Sequence, residues 1–371
     1  MAAPGTAPIP ESLGLFSPEI ATEDLLTAIL RAHPRVSDLI FSPGRNLQVH
    51  VNGEFISLGA AGAPFLTTDD TRRVASDLIG SNKAAINLLR EHGCCDISYA
   101  LPRIARFRVN VFIQRGSCAV VMRVIPTVVP TFKTLGLPDQ LREIAKLHDG
   151  LVLITGPRGA GKSSTLAALL DYINETEARH IITIEDPIEF LHNHKRSTVH
   201  QRELHSDTPT IAEAMKAALR QVPNIIAVGE LKDPQTIELA LESAETGHLV
   251  LSTLNTLSAQ QTLERVAGAF QKSEQQQVRN RLARILRYVV SQRLVPRKDA
   301  KGRSCVFDVF QAGSESFGRL LIDQDHAPGE LDGPTIDSQI EDLVRAGIVS
   351  REIALAHALD ARALAQRLGI E

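Results

Sequence analysis

The chain has 371 residues, of which 43% are hydrophobic and 22% are charged, and its formal net charge is −3 at pH 7. This length and composition allow two or three globular domains with their own cores. The slightly acidic balance disfavours nucleic acid as the main partner, because proteins that bind nucleic acid usually carry a basic footprint. No run approaches the ~18 uninterrupted apolar residues of a transmembrane helix.

The first residues, MAAPGTAPIPE, lack the basic and apolar layout of a signal peptide, so residues 1–20 are expected to form a short disordered tail. The cysteines, Cys94, Cys95, Cys118 and Cys305, form no C-x-x-C pair and no zinc-like spacing with histidine. We therefore expect reduced cytosolic thiols without a metal.

Residues 21–126 alternate helical and extended patterns. Apolar residues recur at helical spacing in TEDLLTAILRAH, and DLIFSPGRNLQVHVNGEF predicts two strands with Asn52-Gly53 as a hairpin signal. A second helix is expected over about 69–91, and DISYALP, RFRVNVFIQ and AVVMRVIP predict further strands. The pattern indicates a small α+β domain, followed by a proline-rich linker at 127–138.

Residues 139–311 alternate apolar strands with helices. The strands GLVLITG, HIITIED, NIIAVGE and HLVLSTLN are continuously apolar, which predicts a parallel sheet covered on both faces. Beyond Arg281, RLARILRYVVSQRL is expected to form a long amphipathic helix that leads into a strand, CVFDVFQ. Residues 312–371 are expected to be mostly helical.

The stretch GPRGAGKSS lies between a predicted strand and a predicted helix and matches G-x-x-x-x-G-K-[ST]. Its glycines let successive backbone N–H groups face one phosphate, and the helix N-terminus adds partial positive charge. In this pattern Lys162 contacts the β/γ-phosphate oxygens, and the Ser163 hydroxyl binds Mg²⁺. The predicted nucleotide-binding residues are Gly156, Pro157, Arg158, Gly159, Ala160, Gly161, Lys162, Ser163 and Ser164.

Carboxylates follow two of the predicted strands. Glu185 and Asp186 end HIITIED, Glu189 lies close behind, and Glu230 ends NIIAVGE in a Walker-B-like position. Because parallel strands end at the same edge of a sheet, these groups are expected to converge on the phosphate loop. There they would hold a metal and orient water.

Five segments together resemble the PilT-type secretion ATPases, the pilus-retraction motors of type IV pili. They are ITGPRGAGKSSTLAALLDYINE, HIITIEDPIEFLH, QRE, VGELKDPQTIELALESAETGHLVLSTLNT and VSQRLVP. The resemblance implies an α/β fold: a RecA-like P-loop NTPase core, an N-terminal PAS-like α+β domain and a helical C-terminal segment. It implies hydrolysis of ATP with Mg²⁺ by a cytoplasmic homo-hexamer at the cytoplasmic membrane. Its expected partners are an inner-membrane pilus platform protein and a paralogous ATPase.

The resemblance also implies residue roles. Glu185 would polarise the attacking water and Glu230 would hold Mg²⁺, and the reverse assignment stays open. His248 opens the histidine box, Gly247–Thr256, and is expected at the nucleotide together with the end of that strand.

Three arginines match positions of the family: Arg106, Arg108 and Arg123. Arg106 and Arg108 share one face of a strand because side chains alternate along it. Such arginines would stabilise negative charge on the γ-phosphoryl group, and their release after hydrolysis would rotate the domains.

The sequence departs from the family pattern at two positions of interest. Asn255 replaces the second histidine of the box; it forms hydrogen bonds but carries no proton charge at pH 7. Lys232 replaces the arginine after the Walker-B strand, a point charge instead of a planar fork. The histidines of HNHKRSTVH (192–200) are expected to lie in a basic, solvated loop at the subunit interface and not to bind a metal.

Two alternatives to a retraction motor stay open within this family. One is a cytosolic ATPase of a type IV secretion system, and the other is a weakly active regulatory ring subunit beside an active paralogue. The intact Lys162, Ser163, Glu185 and Glu230 disfavour the regulatory subunit, whereas Asn255 and Lys232 favour it. A motor acting on nucleic acid would need a basic channel, which the net charge does not support.

Overall fold

The computed structural model describes residues 20–51, 54–59, 65–102, 104–125, 128–299, 302–312 and 334–369. Nearly all of the expected N-terminal tail and the Asn52-Gly53 hairpin signal lie outside these residues. The chain divides into two units, Met1–Thr127 and Val128–Glu371. Among the described residues, no helix is both long and apolar enough to cross a membrane.

The first unit contains an antiparallel sheet of six strands in the order β3-β2-β1-β6-β5-β4. The strands are β1 (Val36–Phe41), β2 (Leu47–Val51), β3 (Glu54–Leu58), β4 (Cys94–Leu101), β5 (Ala105–Gln114) and β6 (Ser117–Ile125). The described residues of this unit also form three helices: α1 (Thr22–Ala32), α2 (Thr68–Ile79) and α3 (Lys83–His92). Helix and strand side chains share one core that includes Leu26, Phe41 and Phe107.

The second predicted helix is two helices. Thr67 and Asp70 form a capping box that begins α2, and Gly80 ends it with a φ of 53°. Asn82 then caps α3 through a hydrogen bond from the backbone N–H of Ala85. The interruption follows from the sequence Gly-Ser-Asn, since glycine adopts positive φ without strain and asparagine is a favoured N-cap.

The second unit contains a sheet of seven strands in the order β13-β12-β7-β11-β10-β8-β9, of which only β13 is antiparallel to its neighbour. The strands are β7 (Gly150–Thr155), β8 (His180–Glu185), β9 (Thr198–Glu203), β10 (Ile225–Val228), β11 (Leu249–Leu254), β12 (Leu286–Pro296) and β13 (Arg303–Gln311). Separate clusters of buried apolar residues cover the two faces, as predicted for a parallel sheet.

Helix α4 (Phe132–Leu135) and a 3₁₀ helix at Asp139–Lys146 precede β7. The helices that lie between strands of this sheet are α5 (Lys162–Thr176), α6 (Ile211–Ala218), α7 (Pro234–Glu245), α8 (Ala259–Ala267) and α9 (Gln275–Ile285). After β13 the described chain is helical, as expected: α10 (Ile336–Arg345), α11 (Arg351–His357) and α12 (Ala361–Arg367). These last helices pack on Val295 and Val306 of β12 and β13.

The long helix predicted beyond Arg281 is wrong. Helix α9 ends at Ile285, and the residues from Leu286 onward form β12 between β7 and β13. Val289 and Val290 are at most 1% exposed, so this segment is covered on both faces. An amphipathic helix would need a solvated face here, whereas β-branched residues suit a central strand.

Candidate active site

The loop between β7 and α5 forms the base of the site. Gly156 adopts a φ of 149°, and a Cβ atom on it would lie 2.4 Å from the carbonyl oxygen of Gln292 on β12. Gly161 caps α5 without any side-chain hydrogen bond to the first turn of the helix. Helix N–H groups that no side chain satisfies are suited to bind a phosphate, so the loop has the geometry that the motif predicts.

Lys162 lies at the centre of this loop. Its ammonium group donates to the carbonyl oxygens of Gly156 and Pro157, at 2.9 and 3.0 Å, and to Oδ1 of Asn255 at 2.8 Å. Burial lowers the pKa of Lys162, and the carboxylate of Glu230 acts in the opposite direction. The cation is therefore fixed beside the loop by three oxygen atoms.

Asn255 links the loop to the Walker-B strand. While its Oδ1 accepts from Lys162, its Nδ2 donates to Oε1 of Glu230. Asn255 directly follows β11, and Glu230 lies two residues beyond β10, its parallel neighbour. An asparagine at this position therefore forms a hydrogen bond to Glu230.

The polar residues at the end of β11 also stabilise the neighbouring strand. Ser252 donates to the carbonyl oxygen of Val228 at 2.7 Å, and Thr253 donates to that of Gly229 at 2.6 Å. Both hydroxyl groups therefore satisfy carbonyl groups at the end of β10, where the regular ladder stops. These bonds hold the backbone immediately before Glu230.

Glu185 ends β8 and lines the same cavity as Lys162 and Glu230. Thr183 donates to its Oε1 at 2.6 Å, and Gln201 donates to the same oxygen at 3.0 Å. Burial raises the pKa of Glu185, whereas these two hydrogen bonds lower it. The predicted convergence of the carboxylates at the phosphate loop is present in the structure.

A further acid in the cavity forms an ion pair. Nζ of Lys232 lies 3.2 Å from Oδ2 of Asp186, which follows Glu185 in the chain. Lysine thus bridges the segments after β8 and β10 at the position where the family pattern has arginine. Arg158 and Glu189 also line this cavity.

A second cavity lies beside the same loop. It is lined by the segment Gly159–Thr165, by the apolar side chains of Leu135, Leu137 and Leu294, by Gln292, Gly302 and Cys305, and by the charged residues Glu189 and Arg303. Nε2 of Gln292 donates to the carbonyl oxygen of Ala160 at 2.6 Å. The P-loop residues expected to bind nucleotide therefore lie between a charged cavity and a more apolar one.

His248 is not at this edge of the sheet, and its expected position at the nucleotide is wrong. It precedes β11, and its carbonyl oxygen accepts from the N–H of Gly150 at the start of β7. The phosphate loop follows the other end of β7, about 20 Å away at ~3.3 Å per strand residue. Nδ1 of the His248 ring lies 3.1 Å from the carbonyl oxygen of Ser243. A local hydrogen bond therefore accounts for a polar side chain at this position.

The three predicted arginines belong to the first unit, whereas the residues described above belong to the second. Arg108 and Arg123 are directly paired on β5 and β6, and Arg106 lies two residues from Arg108 on the same face. Arg106 donates to Ser98 at 2.7 Å and Arg123 to Asp38 at 2.8 Å. Nε of Arg108 is 3.9 Å from Oδ1 of Asp96, a looser ion pair.

Sequence reasoning assigned no role to Thr183 and Gln201, although both contact Glu185. Thr183 lies two residues before Glu185 and therefore on the same face of β8. Gln201 belongs to the QRE segment, which signals the family but whose position in the fold only the strand register reveals.

The chain matches the family described as "Type II/IV secretion system protein" over residues 95–327. It is 44% identical over 267 residues to the type IV pilus retraction ATPase PilT of Pseudomonas aeruginosa, covering 70% of this chain and 77% of that protein. It is 35% identical over 332 residues to the type IV pilus ATPase PilU of the same organism, covering 87% and 85%.

A solved structure of the pilus retraction motor PilT with bound ADP superposes with a TM-score of 0.84 at 36% identity. The match covers 94% of this chain and all of that one. The predicted fold class and the resemblance to PilT-type ATPases are thereby confirmed. The chain belongs to the type II/IV secretion system protein family.

Proposed function

We propose that this chain hydrolyses ATP and that the hydrolysis drives retraction of a type IV pilus. The observation that carries the proposal is one cavity, lined by Lys162, Glu185 and Glu230, at the end of a strand-loop-helix phosphate site. The similarity to retraction ATPases points to the same motor function.

Each group of residues at the site has a separate role in binding or hydrolysing ATP. The N–H groups of the loop and the ammonium group of Lys162 hold the β- and γ-phosphates, and Lys162 leaves its carbonyl partners to do so. Glu185 accepts a hydrogen bond from the attacking water and orients it toward the γ-phosphorus. The more apolar cavity beside the loop suits the nucleoside.

The site also suits Mg²⁺. Magnesium prefers oxygen ligands, and the hydroxyl of Ser163 and the carboxylate of Glu230 line the same cavity. The hydrogen bond from Asn255 does not exhaust the acceptor capacity of the Glu230 carboxylate. When bound, the metal neutralises charge on the phosphate oxygens, and Ser163 and Glu230 are the residues that would hold it.

We further propose that six copies form a ring on the cytoplasmic face of the cytoplasmic membrane. Its partners there are an inner-membrane platform protein and a paralogous ATPase. The similarity to both PilT and PilU supports a role beside a related ATPase. Arg106, Arg108 and Arg123 would then approach the γ-phosphate from a neighbouring copy or after a domain movement.

The test is deletion of the gene in its host, followed by complementation with wild type or Glu230→Gln. Deletion is expected to give abundant pili without twitching movement, which wild type corrects and Glu230→Gln does not. Normal piliation and movement after deletion would contradict retraction. Correction by Glu230→Gln would instead indicate a subunit whose own hydrolysis is dispensable.

A further inference from the structure

The edge strand β9 carries the segment Gln201-Arg202-Glu203, to which the proposed mechanism gives no role. Gln201 and Glu203 lie on one face of the strand because side chains alternate. Oε2 of Glu203 accepts from the backbone N–H of Ile188 at 3.1 Å. Arg202, on the other face, donates to the carbonyl oxygen of Asp207. Glu203 therefore contacts the segment that follows β8, and Gln201 contacts the same segment through Phe190 and His192.

Gln201 makes the larger set of contacts. Its Nε2 donates to Oε1 of Glu185 at 3.0 Å and to the carbonyl oxygen of Phe190 at 2.8 Å, and its Oε1 accepts from the N–H of His192 at 2.8 Å. The amide orientation is unambiguous, because a flipped amide would place oxygen against the Phe190 carbonyl and nitrogen against an N–H donor.

We propose that Gln201 is a positioning residue that fixes the carboxyl group of Glu185 for activation of the attacking water. The inference rests on the role proposed above for Glu185. Two hydrogen bonds converge on Oε1 of Glu185, one from Thr183 on its own strand and one from Gln201 on the neighbouring strand. Thr183 and Gln201 are register partners, so together they hold this oxygen from two strands.

Gln201 also holds the carboxyl group in its ionised form. A hydrogen bond donated to a carboxylate favours the charged state, and Glu185 otherwise loses solvation on burial. The other charged or titratable groups that line the cavity are Arg158, Lys162, Asp186, Glu189, His192, Glu230 and Lys232. None of these groups belongs to β9. From that strand, Gln201 is the residue whose side chain contacts the carboxyl group of Glu185.

The test compares ATP turnover by the full-length chain with Gln201→Leu and Gln201→Glu. Leucine removes the donor, so kcat is expected to fall roughly tenfold to a hundredfold while the KM for ATP changes by less than about threefold. The acid limb of the pH profile of kcat is expected to move to higher pH, because the ionised form of Glu185 has lost a partner. Glutamate adds a second carboxylate and is expected to move it further.

His200→Gln is the matched control, since residue 200 lies on the opposite face of β9 and contacts His180 instead. It is expected to leave kcat and the pH profile unchanged. If Gln201→Leu lowers kcat only in step with Tm and its acid limb coincides with that of wild type, Gln201 is merely structural and the inference is wrong. A kcat within about twofold of wild type would also overturn it.

Glu185→Gln separates this inference from the function on which it rests. If Glu185→Gln turns over ATP as fast as wild type, the role proposed for Glu185 fails. If Glu185→Gln is inactive and Gln201→Leu is normal, only the role of Gln201 fails. Both roles predict that adding Gln201→Leu to Glu185→Gln causes no further loss, because the two changes remove one function.

Discussion

At the scale of single residues, Asn255 has the most distinctive position in the site. One neutral amide accepts from the P-loop lysine and donates to the Walker-B glutamate. Those two groups carry opposite charges, and the amide presents the matching dipole to each of them. Asn255 thus couples the two halves of the phosphate site without adding a charge of its own.

Replacing Asn255 by leucine, which has similar volume, tests this coupling. Both hydrogen bonds involve charged partners, so their loss is expected to lower kcat/KM for ATP roughly tenfold to a hundredfold. Steady-state turnover measures the effect. Asn193→Leu, in an exposed segment of the same unit, is the control. A value for Asn255→Leu equal to that of the control would contradict the coupling.

Local pattern was enough to predict some site residues and not others. Lys162, Glu185 and Glu230 were predictable because a P-loop and two strand ends lie at one edge of a parallel sheet. His248 was misplaced because it precedes β11, and the strand separates it from the nucleotide edge. The role of Gln201 depends on the pairing of β9 with β8, which periodicity cannot supply.

At the scale of elements, β13 carries a buried acid. Asp308 is 7% exposed and pairs with Ser291 on β12. Burial raises the pKa of Asp308 to about 6, and the carboxylate of Asp337 acts in the same direction. The folded protein therefore binds a proton more tightly here than the unfolded chain, which makes the stability of this unit dependent on pH.

The sign of that dependence gives a second prediction. Between pH 4 and pH 6 the folded state holds more protons than the unfolded state, so Asp308 costs stability as the pH rises through this range. Asp308→Asn is expected to raise the free energy of unfolding by about 1 to 3 kcal/mol at pH 8 and by little at pH 4.

Urea unfolding at the two pH values measures the effect. Asp342→Asn, at an exposed position on α10, is the control and should show no such difference. An equal change at pH 4 and pH 8 for Asp308→Asn would contradict the raised pKa of Asp308.

Some helices and strands were predictable from the local sequence pattern, and others were not. The parallel strands β7, β8, β10 and β11 were predictable from short apolar runs, since both of their faces are buried. Strand β12 was not, because it continues a helical pattern without any glycine or proline at Ile285. Its conformation depends on the gap between β7 and β13, which is a tertiary effect.

At the scale of the whole molecule, the residues with proposed roles in hydrolysis belong to two different units. The phosphate loop, Glu185 and Glu230 belong to the second unit, and the three family arginines belong to the first. The ion pair of Arg108 with Asp96, at 3.9 Å, is looser than the 2.8 Å pair of Arg123 with Asp38. Removal of Arg108 is therefore expected to disturb the first unit less than removal of Arg123.

We expect Arg108→Ala to lower kcat roughly a hundredfold or more if this arginine stabilises the γ-phosphoryl charge. Binding of a fluorescent ADP analogue and Tm should stay close to wild type, because Arg108 contributes little to either. Arg115→Ala, at the turn between β5 and β6, is the matched control and should turn over ATP normally. Equal turnover by the two variants would exclude Arg108 from catalysis.

Hydrolysis of ATP at the described cavity is tested most directly by steady-state turnover of purified wild type and Glu230→Gln with Mg²⁺. The substitution preserves the shape of the side chain and removes the charge that faces Asn255. We predict that both proteins bind ATP and that wild type turns it over at least about a hundredfold faster. Wild-type turnover no higher than that of Glu230→Gln would contradict a motor that hydrolyses ATP.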